Sequence, residues 1–333
     1  MKGTVRTWGI LVSTAAAFIW ATYYLFVLAL PRIPDLAITV YPFLFGGLGF
    51  TLLSLRRSRK EPGKILRMMG TPGGLGRGVL ILGMQLDVVL STRFVGAVDT
   101  SLLTLLADVL ATPLLLYALW REGEAHLRHP LFWAGLVLSA AGAGLTIVGG
   151  GGAHPLGPEA LLLGAPIPIL VAIYFLLASR AAREAPMERV VGSSTLLGGF
   201  LAGAATVALD PGSLWISASP VPWALLALLG LTSFFLAPWA YFWATSQLTI
   251  VIPAVLQAAI PVFTLILVAL VLHAPVASLA LVGIPVAFLG SVLAVSEPRR
   301  GPRRPPGEGR GSAVRVPRAS VDATSGRDPL TGR

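Results

Sequence analysis

The chain has 333 residues, of which 55% are hydrophobic and only 12% charged, with 25 Lys and Arg against 15 Asp and Glu. A soluble domain carries about 25% charged residues, so this composition excludes an ordinary water-soluble globule. There is no cysteine, which excludes disulfides, thiol nucleophiles and thiolate-bound metals.

From Trp8 to Val295 the apolar residues fall into runs of membrane-spanning length. A helix rises about 1.5 Å per residue, so about 20 residues cross a hydrocarbon core of roughly 30 Å. The pattern predicts an all-α integral membrane protein with ten transmembrane helices. In chain order they are 8–30, 36–55, 78–97, 102–120, 131–148, 161–178, 190–209, 223–245, 250–272 and 276–295. The first run is too long for a typical signal-peptide core and reads as an uncleaved helix. Short connections make successive helices antiparallel.

Orientation follows from the Lys/Arg bias between the two sets of loops. One set holds 14 basic residues, seven of them between Arg56 and Arg77; the other holds only Arg32. The basic side is cytoplasmic, and ten spans put both termini there, in a plasma membrane. Residues 298–333, rich in Arg, Pro, Gly and Ser, read as a disordered basic cytoplasmic tail. Such a tail is suited to anionic lipid headgroups of the bilayer or simply to solvent. No aromatic residue interleaves its arginines, which speaks against nucleic acid as a partner.

One ungapped offset of 148 residues aligns Pro113 with Pro261, Gly135 with Gly283 and Gly142 with Gly290. The chain therefore reads as two five-helix halves, 1–150 and 151–297. An odd number of spans per half inverts one against the other. Inverted repeats recur in secondary transporters, with the solute site near the midplane between them.

The halves open on AAAFIWATYY (15–24) and, more loosely, PILVAIYFLLASR (168–180). The first closes on LATPLLLYALWREGE (110–124) and WAGLVLSAAGAGLTIVGG (133–150). The second closes on AAIPVFTLILVAL (258–270) and LALVGIPVAFLGSVLAV (279–295). These elements resemble the EamA-like family of the drug/metabolite transporter superfamily over nearly all of 1–297. The family's Gly-Glu after the Pro helix survives only as Gly123-Glu124, away from its usual spacing, and the second half has His273-Ala274 there. The resemblance implies a membrane transporter, often an exporter of amino acids, metabolites or drugs.

Ionisable groups deep in a bilayer cost at least about 2.5–3.5 kcal/mol each and mark solute or ion paths. Asp87 and Arg93 in the third span and Asp108 in the fourth are the candidates. The two carboxyls lie about 14–17 Å below the outer turn, counted at 1.5 Å per residue. Arg93 would hold a solute carboxylate through paired N–H bonds, and Asp87 or Asp108 an ammonium group or a proton. The alternative is a structural ion pair between Arg93 and one Asp. The offset puts Tyr241 opposite Arg93, and Leu256, beside Gln257, opposite Asp108. Pro261 removes the backbone donor to the Gln257 carbonyl, so Gln257 is expected to line the path or to pack as a helix amide. Trp20, Tyr24 and Trp239 are the deep aromatics, either walls of a cavity or core.

No G-x-x-x-x-G-K-[ST], H-E-x-x-H or G-x-S-x-G motif occurs, and His126 and His129 lack a clustered third ligand. No enzyme activity, cofactor or metal is expected. The reading is a secondary transporter exporting a small organic solute, such as an amino acid or related metabolite, by alternating access, with proton coupling open. A lipid flippase or membrane-embedded enzyme is the alternative.

Overall fold

Helix starts follow the local sequence. Proline opens four of the long helices, where its missing N–H is one that a helix end leaves unpaired anyway: α4 (Pro72–Phe94), α6 (Pro130–Val148), α7 (Pro166–Glu184) and α9 (Pro220–Gln247). Thr71 caps α4 by accepting the Gly74 N–H at 3.0 Å. Gly96, with φ 112°, ends α4: its N–H and that of Val95 both reach the Ser91 carbonyl. Only a glycine takes that left-handed turn without strain.

The computed structural model describes residues 2–57, 63–106, 115, 129–148, 164–216, 219–248, 251–273 and 278–295. Asp108, Pro113, nearly all of the 110–124 motif and the tail 298–333 lie outside the described residues. Besides those above, the helices are α1 (Lys2–Ala29), α2 (Asp35–Arg57), a short α3 (Lys64–Met69) and α5 (Ala97–Leu106). Then come α8 (Met187–Leu209), α10 (Val251–Leu256), α11 (Ile260–Val271) and α12 (Ser278–Val295). No strand occurs among the described residues.

Among the described residues, six helices are long and apolar enough to cross a membrane: Thr7–Ala29, Asp35–Arg57, Pro72–Phe94, Pro166–Glu184, Met187–Leu209 and Pro220–Gln247. Shorter apolar helices cover Pro130–Thr146, Ile260–Val271 and Ser278–Ala294. The described helices fall on the expected spans with shifted ends, except that most of the fourth, 102–120, lies outside the described residues; two are irregular inside. The ninth is broken into α10, a 3-10 turn over Gln257–Ala259, and α11. The eighth, α9, carries a π turn over Gly230–Leu236. α3 was not expected from the apolar pattern.

The π turn follows from sequence and packing. Pro238 has no N–H, so neither the i−4 bond to Phe234 nor the i−5 bond to Ser233 forms. The turn also lies against α2 at backbone contact: a Cβ on Gly46 would stand 2.5 Å from Phe234 Cβ, and one on Gly230 2.7 Å from the Pro42 carbonyl.

α6 and α12 run antiparallel with backbones touching. A Cβ added at Gly142 would lie 2.2 Å from Ala287 N and 2.5 Å from Gly283 O. One at Gly135 would lie 2.3 Å from Ala294 N and 2.5 Å from Gly290 O. The pair is pinned midway by Ser139 Oγ···Ser291 Oγ at 3.0 Å. Without water, helices associate through such close packing of small residues. Gly142→Val should therefore be severe. We expect a loss of about 3 kcal/mol or more, since the clash is with backbone rather than a movable side chain. The melting temperature of purified protein checks this; a wild-type value would refute the backbone contact.

Candidate functional site

A central cavity, open at its mouth, holds about 810 Å³ of space free of protein atoms when the solvent at that mouth is counted. α1 contributes Trp20, Tyr23 and Tyr24. α4 contributes Ile81, Met84, Gln85 and Val88, which recur on one face at helical spacing. α5 adds Thr104; α7 adds Val171, Tyr174 and Phe175; α8 adds Val191 and Thr195. Opposite stand Ser233, Phe234, Pro238 and Tyr241 of α9, then Gln257 and Ile260 at the broken helix.

The wall is an aromatic network. Trp20, Phe175 and Tyr241 form a triangle with ring centroids 5.7, 5.6 and 4.9 Å apart. Tyr23 meets Tyr24 edge-on at 5.4 Å and Phe234 at 6.1 Å. Such tilted and edge-on pairs suit the ring quadrupoles.

Both helix irregularities face this cavity, and α1 stitches them together. The Ser233 carbonyl, left without a donor by Pro238, accepts the Trp20 indole N–H at 3.1 Å. Gln257 Nε2 donates to Ser13 O, Ser13 Oγ and Pro253 O at 3.3, 3.1 and 3.2 Å. Two carbonyls around one atom fix it as nitrogen, so the other terminus is the oxygen. Gln85 Nε2 donates to Tyr23 Oη at 2.6 Å, and Tyr24 Oη pairs with Thr104 Oγ1 at 3.1 Å.

Of the residues expected from sequence, Trp20, Tyr24, Tyr241 and Gln257 line the cavity. The Gln257 carbonyl is not free, as Pro261 suggested: the 3-10 turn brings the Ile260 N–H onto it. Trp239 is half-buried against the core and is not among the lining residues. Asp87 is not among them either. It sits two residues after Gln85, about 200° round the helix, with Oδ2 buried and unpaired among the described residues. Asp108 lies outside the described residues.

Arg93 is not at the centre. Its Nη2 donates to Leu30 O at 3.0 Å and Ile33 O at 2.6 Å, its Nη1 to Pro31 O at 3.1 Å. It also pairs with Asp35. Arg93 is thus in a structural ion pair, but with Asp35, which sequence reasoning did not name, rather than with Asp87. The reason is local: α1 ends at Ala29, so the carbonyls beyond it need donors.

Gln85, Tyr23, Tyr174, Phe175, Ser233 and Phe234 are lining residues that sequence reasoning did not select. The stripe Ile81, Gln85, Val88 was a usable signal, with one polar residue in an apolar face. Ser233 had none, because its exposure to α1 comes from the π turn.

These features define a class: a multi-pass helical membrane protein with an enclosed aromatic cavity at the meeting point of its broken helices. Residues 159–296 match the model of the EamA-like transporter family. No curated protein matches the chain. Seventeen chains of solved structures match. One, a crystal structure of a protein, is 19% identical with a TM-score of 0.67, covering 89% of this chain and 100% of its own. At that identity the likeness shows the fold alone.

Arg93→Met should lower stability by about 2–3 kcal/mol, because Asp35 and the Pro31 and Ile33 carbonyls lose the Arg93 donors together and Leu30 O keeps only the Ile33 N–H. Solute binding, once corrected for folded fraction, should stay within about twofold. A stable variant with abolished binding would restore Arg93 to the solute path.

Proposed function

We propose that the protein is a secondary transporter that exports a small organic solute across the plasma membrane by alternating access. The observation that carries this reading is the central cavity, lined from both halves of the chain and bordered by two interrupted helices. Interrupted helices near the midplane are a recurring feature of solute sites in transporters. The family of residues 159–296 is a transporter family, which supports the same class.

Ten spans in two inverted five-helix repeats are part of the proposal. The α6–α12 contact supports it. Gly135 meets Gly290, and Gly142 meets Gly283; 283−135 and 290−142 are both 148. Each glycine thus meets the counterpart of the other, as two equivalent surfaces related by a twofold axis do. Ten spans with the basic loops inside place both termini in the cytoplasm.

Preference for an amino acid rested on charges at the centre. Arg93 is spent at the α1–α2 turn and Asp87 stands off the wall, so neither supports a zwitterion. Asp108 remains the proposed site of proton coupling.

Proteoliposomes containing the full chain should accumulate or exchange labelled small organic solutes above empty vesicles. Failure with every solute class, from protein shown to be folded, would sink the transporter reading. Asp108→Asn should remove any dependence of the rate on a proton gradient. Deleting 298–333 should leave the rate within about twofold; a lost rate would instead point to a role for the tail in transport.

A further inference from the structure

What a guest meets in the cavity is set by which polar atoms the protein has left unused. The nitrogen donors of the wall are committed. Trp20 Nε1 is held by Ser233 O, Gln85 Nε2 by Tyr23 Oη, and Gln257 Nε2 by three oxygens. Among the described residues no Lys or Arg lines the cavity. Arg77 is buried one turn before Ile81 on α4, within electrostatic reach of Tyr174, but is not among the lining residues. Arg93 is engaged at the outer turn.

The unused atoms are acceptors or can act as such. Gln257 Oε1, Ser233 Oγ and Tyr174 Oη are buried and unpaired among the described residues. The two hydroxyls can donate or accept, and the amide oxygen only accepts. Around them stand ring faces, which carry negative quadrupole density. A carboxylate brought into such a place loses its water and finds only neutral hydroxyl donors in return. An N–H group finds the amide oxygen, both hydroxyl oxygens and the ring faces.

We propose that this cavity selects a flat, apolar solute bearing N–H donors and no carboxylate, an organic amine of about bicyclic size. The proposal rests on reading the cavity as the solute site of a transporter. Gln257 is the specificity residue in it: its Oε1 is the acceptor for the amine, and its Nε2 is locked by α1 so that the oxygen stays turned out.

Four indoles of one size separate the charges: tryptamine (amine only), indole-3-acetate (carboxylate only), tryptophan (both) and 3-methylindole (neither). Equilibrium dialysis against the full chain in nanodiscs, with empty nanodiscs subtracted, reads their affinities. Tryptamine should bind saturably, at least tenfold tighter than tryptophan and indole-3-acetate, and tighter than 3-methylindole. A carboxylate-bearing indole equal to or above tryptamine would overturn the selection while leaving the cavity a solute site. No saturable binding by any of the four would overturn the amine selection, while the transporter reading stands or falls with the proteoliposome assay.

Gln257→Met should weaken tryptamine at least fivefold and leave 3-methylindole nearly unchanged. Ser13→Ala deletes one internal contact of the same amide but keeps Oε1, so it should retain tryptamine affinity. Equal losses in both variants would assign the effect to packing and overturn the acceptor role.

Discussion

Inside a bilayer a backbone carbonyl without a donor has no water to turn to, and the cost is several kcal/mol. That constraint organises this protein. Pro238 leaves the Ser233 carbonyl open, and the indole of Trp20, 213 residues away, closes it. Pro261 would open the Gln257 carbonyl, and a 3-10 turn closes it with the Ile260 N–H. Each repair bends or loosens a helix, and both repairs sit on the cavity. The same need at the end of α1 draws Arg93 away from the centre to the carbonyls of Leu30, Pro31 and Ile33. Proline placement therefore decides where the wall is irregular and where the charge is consumed.

Close packing supplies the rigidity against which an irregular centre can be held. Where α6 meets α12, glycines let backbone touch backbone, with Ser139 and Ser291 bonded between them. Where α2 meets the π turn, Gly46 and Gly230 do the same. Lipid offers no hydrophobic drive for helix association, so contact area at short range has to provide it. The two glycine seams differ in consequence. One joins helices whose glycines share the 148-residue spacing, and the other braces the segment that carries Ser233 and Phe234.

Electrostatically the site is quieter than intramembrane charges suggest. The two described candidates, Asp87 and Arg93, belong to α4, but the cavity takes the Ile81–Gln85–Val88 face of that helix. Helical geometry separates positions 85 and 87 by about 200°, so a buried amide and a buried carboxyl two residues apart serve different surroundings. Asp99, on the short α5, became notable only once its burial was seen. Among the described residues, the cavity presents rings, hydroxyls and amide groups.

The sequence by itself determined the helices, their approximate ends and their membrane character, because burial in lipid requires apolar runs of fixed length whatever their neighbours. It also determined the glycine spacing that α6 and α12 use, and it pointed to Trp20, Tyr24, Tyr241 and Gln257 through aromatic content, the repeat offset and a nearby proline. Tertiary structure alone decided which face of α4 turns inward, which carbonyl Trp20 reaches and which oxygens hold Arg93. Those outcomes depend on partners 60 to 213 residues distant, and no local pattern encodes a long-range partner. A charge in a membrane helix announces that it must be satisfied; only the packed structure says by what.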